Sequence, residues 1–329
     1  MCASSIATTD RPLVYGHRGA AGHRPEHTLE SYRLAARLGA DFIEPDLVAT
    51  GDHALVVRHE PAIGGTTDVA EHPEFAGRRT TKVIDGLTFA DEWFTEDFTL
   101  AELRTLRARE RLPTVRSTRY DGRFGIVTFA EVIALRAQLE RELGRPVGLV
   151  PELKHSTYFR ALGLPLEEPF LAAAGDADGR GPLVVQSFEV GNLQRLTGLT
   201  RMQLLGAPER RPADGTRTYG EMATAGGLRE IGRHAEIVGP AKRYVVPRDD
   251  QDRSLPPTSF VTDAHAAGLQ VVPYTFRDEN RFLPAELRRG GDPNAPGDAG
   301  AEYRQFYALG VDGVFSDHPD TAVAARDGR

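Results

Sequence analysis

Cysteine is almost absent from this sequence. Cys2 stands alone, so no intrachain disulfide can form and a cysteine-rich structural zinc site is excluded. No apolar run reaches the ~18 residues of a membrane span, so none is expected. A basic surplus is lacking too. The net charge is −7, where bulk nucleic-acid binding needs a basic face, so no nucleic-acid partner is expected. The opening segment MCASSIATTD has neither a basic stretch nor an apolar stretch of the kind a secretory signal carries. As written it points to the cytoplasm, and to a secreted or periplasmic location if an upstream signal has been removed. Lysine is scarce: Lys82, Lys154 and Lys242 are the only ones among 40 basic residues, so each invites a chemical reason.

With 40% hydrophobic and 26% charged residues, the 329-residue chain is globular in composition. That length suits either two small domains or one α/β barrel of about 250 residues with an extra segment. Short apolar, β-branched runs recur at 13–15, 42–48, 54–57, 147–153, 183–188, 202–205, 244–246, 269–276 and 313–315. Helical patterns lie between most of them, at 29–38, 100–107, 129–143, 190–196, 226–237, 258–267 and 301–309. Thr99 with Glu102, and Thr128 with Glu131, have the spacing of capping boxes. Strand–helix alternation predicts a parallel sheet covered by helices, closed as a (β/α)8 barrel with one of the nine strand candidates to spare. The barrel is expected over residues 12–324. Residues 60–125, rich in Gly, Thr, charge and aromatics, are expected to be a segment inserted on one rim.

Parallel barrels place their chemistry at the C-terminal ends of the strands. The first strand stops at His17-Arg18: an imidazole suited to proton transfer, and a guanidinium that can grip a phosphate, or else a simple turn cap. In Glu44-Pro45-Asp46 the two acids share a strand face. Their repulsion calls for a divalent metal ion or an arginine partner. His59 ends the next apolar run, after a Gly51-Asp52-His53 turn. Glu152 and Lys154 share a face of the following strand; Glu152 would complete a three-carboxylate cage, and Lys154 would add an ammonium beside a phosphate. The alternative is a surface ion pair between these two. Together these residues point to a metal-assisted reaction of an anionic substrate.

The quoted motifs resemble the glycerophosphodiester phosphodiesterase family. They are His17-Arg18-Gly19-Ala20, Pro25-Glu26-His27-Thr28, Gly39 through Asp46, Val56 through Glu60, Pro151 through Lys154, Gln186-Ser187-Phe188, Pro273 through Arg277 and Gly310 through Asp320. The likeness spans residues 14–320, and the segment with Thr67-Asp68 and Asp97-Phe98 is similar to the longer bacterial subgroup. Two local departures are Pro45 between the acids and Glu60, where many members carry Asp.

The resemblance implies hydrolysis of glycerophosphodiesters, such as glycerophosphocholine or glycerophosphoethanolamine, to sn-glycerol 3-phosphate and an alcohol. It implies His17 and His59 as the acid–base pair, Arg18 and Lys154 on the phosphate, and Glu44, Asp46 and Glu152 as metal ligands. Oxygen ligands suit Ca2+ or Mg2+ rather than zinc, and the subgroup implies Ca2+ ahead of Mg2+. Phe188, Tyr274 and Phe276 are candidates for the substrate pocket, with Trp93 and Phe94 closing over it; core packing is the other reading of all five. A related barrel phosphodiesterase acting on lysophospholipids or polyglycerol-phosphate teichoic acid is the alternative activity. The expected partner is a small-molecule substrate, and the expected state a monomer or small homo-oligomer.

Overall fold

The computed structural model describes residues 11–175 and 181–328; Cys2 and the opening segment that bears on targeting lie outside them. Thirteen strands occur among the described residues: β1 (Leu13–Gly16), β2 (Phe42–Ile43), β3 (Asp46–Ala49), β4 (Leu55–Val57), β5 (Thr80–Ile84), β6 (Leu87–Glu92), β7 (Gly148–Leu149), β8 (Glu152–Leu153), β9 (Val184–Ser187), β10 (Thr200–Leu205), β11 (Ile237–Pro240), β12 (Gln270–Val271) and β13 (Gly313–Ser316). Parallel pairing runs β13-β1-β2-β7 in one sheet and β12-β11-β10-β9-β8-β3 in another.

The two sheets are one barrel. β2 and β3 form a single stave interrupted at Glu44-Pro45, and β7 and β8 one interrupted at Val150-Pro151. Proline cannot donate to the ladder, yet its carbonyl still accepts. Glu152 N donates to Pro45 O at 3.0 Å and Gln186 N to Pro151 O at 2.9 Å, so the pairing carries through both breaks. Phe315 N donates to Pro273 O at 3.0 Å and Asp312 N to Val271 O at 2.9 Å, which closes the last gap. The result is the (β/α)8 barrel.

Side-chain alternation divides the core in two. Tyr15, Phe42, Val150, Val184, Met202, Leu204, Ile237, Val272 and Phe315 fill the barrel interior, where Tyr15 stacks on Phe42 with centroids 4.5 Å apart. Their strand neighbours, such as Val14, Ile43, Leu149, Val185 and Val314, face outward into the layer under the helices. The helix at Phe129–Leu143 shows how local signals set an element. Thr128 and Glu131 form a complete capping box at its start, and Gly144, at φ 65°, ends it in the left-handed region.

Two strand assignments change. Residues 244–246 are not a stave; Lys242–Tyr244 is a short 3-10 helix. The stave is β11, which the sequence pattern had absorbed into a helix running to residue 237. That helix ends at Ile231, with Gly232 as its cap, so the glycine outweighs the apolar spacing beyond it. The spare run, 54–57, is β4, which pairs antiparallel with β3 outside the barrel. Within residues 60–125 the ordered elements are the β5–β6 hairpin and short helices, none of them a stave.

A Cβ at Gly148 would lie 2.3 Å from the buried ring of Phe42. Gly148→Ala is expected to lower stability by about 1–3 kcal/mol through overpacking, read from the urea unfolding midpoint.

Candidate active site

Three acids meet at the mouth of the barrel. Asp46 and Glu152 are direct register partners on β3 and β8, and Glu44 precedes them at the proline break. One oxygen from each lies within 4.8 Å of the others, and all three side chains are buried. Burial and the charges of Asp46 and Glu152 push the Glu44 carboxyl well above the usual carboxylate range. Burial raises Glu152 to about 8, despite Lys154 beside it. Burial also works against ionisation of Asp46, but Lys154 and His27 outweigh it and hold that carboxyl well below its ordinary value.

The surroundings satisfy some of these oxygens and leave one open. Glu44 accepts from Arg18 N and from Gln186 Nε2, both at 2.8 Å. Asp46 Oδ2 pairs with His27 Nε2 at 2.9 Å, and Glu152 Oε2 with Lys154 Nζ at 2.8 Å. Asp46 Oδ1 is buried with no hydrogen-bond partner. An orphaned carboxylate oxygen among three clustered acids fits a hard divalent cation.

The two imidazoles arrive by different routes. His17 follows β1, and its Nδ1 lies 2.5 Å from Asp317 Oδ1, leaving Nε2 directed to the acids, 3.9 Å from Glu44. Burial, reinforced by Arg18, lowers its pKa to about 4. His59 does not end a barrel strand, as its sequence position had suggested. β3 overshoots the mouth and β4 runs back down, with Arg58 N donating to Asp46 O at 3.0 Å, so His59 returns to the level of the acids. Its Nδ1 pairs with Glu60, and burial with nearby Arg18 and Lys154 pulls its pKa well below the ordinary value.

His17, Arg18, Glu44, His59, Glu152 and Lys154 all line one cavity of about 200 Å3, floored by Phe188, Leu204, Tyr274 and Phe315. A larger cavity of about 600 Å3, between Val190 and His234, contains none of these groups. The convergent acids and imidazoles mark the site better than volume does. Residues 17–321 match the model of the glycerophosphoryl diester phosphodiesterase family. The chain belongs to this family. It is accordingly an enzyme of the phosphoric diester hydrolase class.

Among similar family proteins, a glycerophosphodiester phosphodiesterase of Arabidopsis thaliana is 34% identical over 94% of this chain and 84% of its own length. One from Haemophilus influenzae is 28% identical over 94% and 88%. In fold, the chain matches a putative glycerophosphoryl diester phosphodiesterase from Silicibacter pomeroyi at TM-score 0.65 and 20% identity, covering 97% of this chain and 95% of that one. A phosphodiesterase of Oleispira antarctica, solved with the product sn-glycerol 3-phosphate, matches at TM-score 0.62 and 19% identity, over 96% and 97%.

The candidate site contains groups the sequence reading left without a role. Asp317 also accepts from Arg116 at 2.7 Å and Arg277 at 2.8 Å, so its charge is fixed while it holds His17. Glu26 takes two hydrogen bonds from Arg111 and one from Arg18, each at 2.7 Å. Asp317 and Glu26 lie inside quoted motifs; Arg111 and Arg116 lie in the excursion at 60–125, where no local pattern marks them. The aromatics divide. Phe188 and Tyr274 line the cavity, but Phe276 does not: it is fully buried in the outer layer, stacked on Tyr303 at 4.9 Å. Regular pairing on this stave ends at Val271, so strict face alternation does not extend to Phe276. Trp93 and Phe94 are buried in the excursion's own packing; Leu87 and Phe89 of the hairpin reach a cavity instead.

A cation held by the three acids stabilises the folded state by mass action. After chelation, adding Ca2+ at about 100 times its Kd is expected to raise unfolding stability by about 2.7 kcal/mol. In Glu152→Gln the gain should shrink sharply, read as the shift in thermal midpoint.

Proposed function

We propose that the chain hydrolyses glycerophosphodiesters to sn-glycerol 3-phosphate and an alcohol, using a divalent cation, Ca2+ ahead of Mg2+, held by Glu44, Asp46 and Glu152. The observation that carries this reading is three acids within 4.8 Å of one another, two of which, Glu44 and Glu152, line a cavity that also contains both imidazoles. The cation, when bound, supplies positive charge to the non-bridging phosphate oxygens. Arg18 and Lys154 add theirs. Arg18 Nε is a buried donor with no hydrogen-bond partner, which suits it to an incoming phosphate oxygen.

The imidazoles are not equivalent. With Nδ1–H donating to Asp317, His17 keeps a free Nε2 lone pair and acts as the base, taking the proton of the attacking water or substrate hydroxyl. His59 borders a second, wider cavity as well as the first, with its Nδ1 paired to Glu60. It acts as the acid: as the bond from phosphorus to the leaving oxygen breaks, His59 gives that oxygen a proton. The glycerol phosphate end fits the confined cavity, against Phe188 and Tyr274.

General acid–base catalysis contributes roughly 10²–10⁴-fold. His17→Ala and His59→Ala are each expected to lower kcat by at least about 100-fold with the fold intact by circular dichroism. Losses of tenfold or less from both would contradict these roles. In a coupled assay of glycerol 3-phosphate release from glycerophosphocholine, a chelator should abolish turnover and Ca2+ restore it; full activity after exhaustive chelation would refute the metal role.

A further inference from the structure

A second cavity, about 390 Å3, opens directly off the first. His59, Glu152, Lys154, Phe188 and Tyr274 line both, so the two spaces adjoin beside the acids. Its outer walls are the β5–β6 hairpin, through Asp85, Leu87 and Phe89, and the loop after β10, through Arg210 and Arg211. The site reading above puts the glycerol phosphate end in the smaller space, which leaves the wider one for the alcohol.

The charges on these walls are unequally satisfied. Asp85 is paired with His155 at 2.5 Å. Glu189 accepts from Thr157 N at 3.0 Å and from its hydroxyl, and burial raises it to about 7, so it carries less than a full charge near neutrality. Glu60 is taken by Arg111 and His59. The arginines are not matched. Arg210 donates only to the backbone carbonyl of Asp85, at 3.2 Å, and the side chain of Arg211 has no hydrogen bond or ion pair among the described residues. Among the described residues, Arg210 and Arg211 are the cations of this cavity without a carboxylate partner.

We infer that the cavity walled by Arg210 and Arg211 selects glycerophosphodiesters whose alcohol carries a phosphate of its own, over those with a cationic alcohol such as choline. A guanidinium pair suits a phosphate dianion, and forks onto its oxygens. A trimethylammonium would meet the same pair as like charge. One aromatic of the cavity, Phe188, already has the ammonium of Lys154 5.7 Å from its ring, which weakens it as a seat for a second cation. Two sources supply such an alcohol, phosphorylated inositol and a polyglycerol phosphate chain, and they share the terminal phosphate the arginines would read. The inference rests on the proposed hydrolysis.

The test compares kcat/KM at low salt for glycerophosphocholine, glycerophosphoinositol, glycerophosphoinositol 4-phosphate and a two-unit polyglycerol phosphate. The phosphorylated alcohols are expected to exceed choline by about tenfold, as for two partly exposed charge contacts. The ratio of glycerophosphoinositol 4-phosphate to glycerophosphoinositol isolates the added phosphate. That ratio should collapse in the R210A/R211A double variant, recover in part in R210K/R211K, and narrow as salt rises. Better turnover of one phosphorylated arm than the other, with the same arginine dependence, identifies the source. A ratio unchanged by the double variant, or choline as the preferred alcohol, overturns the inference while leaving the hydrolysis standing. Release of glycerol 3-phosphate from none of the four would defeat the hydrolysis itself.

Discussion

Three carboxylates that cannot share a dry space unaided govern this molecule. Glu44 and Glu152 are forced toward the protonated state and Asp46 away from it, all within 4.8 Å. Paired cations and amide donors reduce that conflict but do not remove it, since one oxygen of Asp46 accepts no hydrogen bond and the Lys154 ammonium stays 3.6 Å from it. Buried charge of one sign is costly unless something of the other sign is held against it. A site with this imbalance is built to gain by taking up a cation, and the adjacent anionic substrate gains from the same ion.

Around the acids lies a frame of arginine and carboxylate that ties distant segments to the mouth. Arg111 binds Glu26 and Glu60; Arg116 binds Glu279 and Asp317. Both arginines come from residues 60–125, so this excursion is a structural partner of the barrel rather than an appendage. Guanidinium geometry accounts for the choice of arginine over lysine, since one fork can serve two oxygens or two acids at once. The lysines that remain sit where a compact charge suffices: Lys154 beside two acids, Lys242 buried against Glu302 at 2.7 Å, Lys82 between Glu96 and Asp97.

Much of this was legible in the order of residues. Strand ends carrying His17, Glu44, Asp46 and Glu152 follow from alternation and from the barrel's polarity. The capping box at Thr128 sets its helix to the residue. What was not legible depended on long-range geometry. β11 was hidden because an apolar stretch after Gly232 has no period of its own to separate it from a helix. His59 looked like the end of a stave, because antiparallel and parallel pairing leave the same local pattern. Phe276 was misplaced where regular pairing lapses. Arg111 and Arg116 could not be singled out by composition in a chain so rich in arginine.

The bond between His17 and Asp317 joins positions 300 residues apart, across the seam where β1 meets β13. A ribosome delivers the second of these 300 residues after the first. Until then the imidazole has no carboxylate to orient it, Arg116 and Arg277 lack their shared acceptor, and the first stave has one open edge. His17 is therefore made long before the carboxylate that orients it. The pairing of β1 with β13 that closes the cylinder also brings Asp317 to His17.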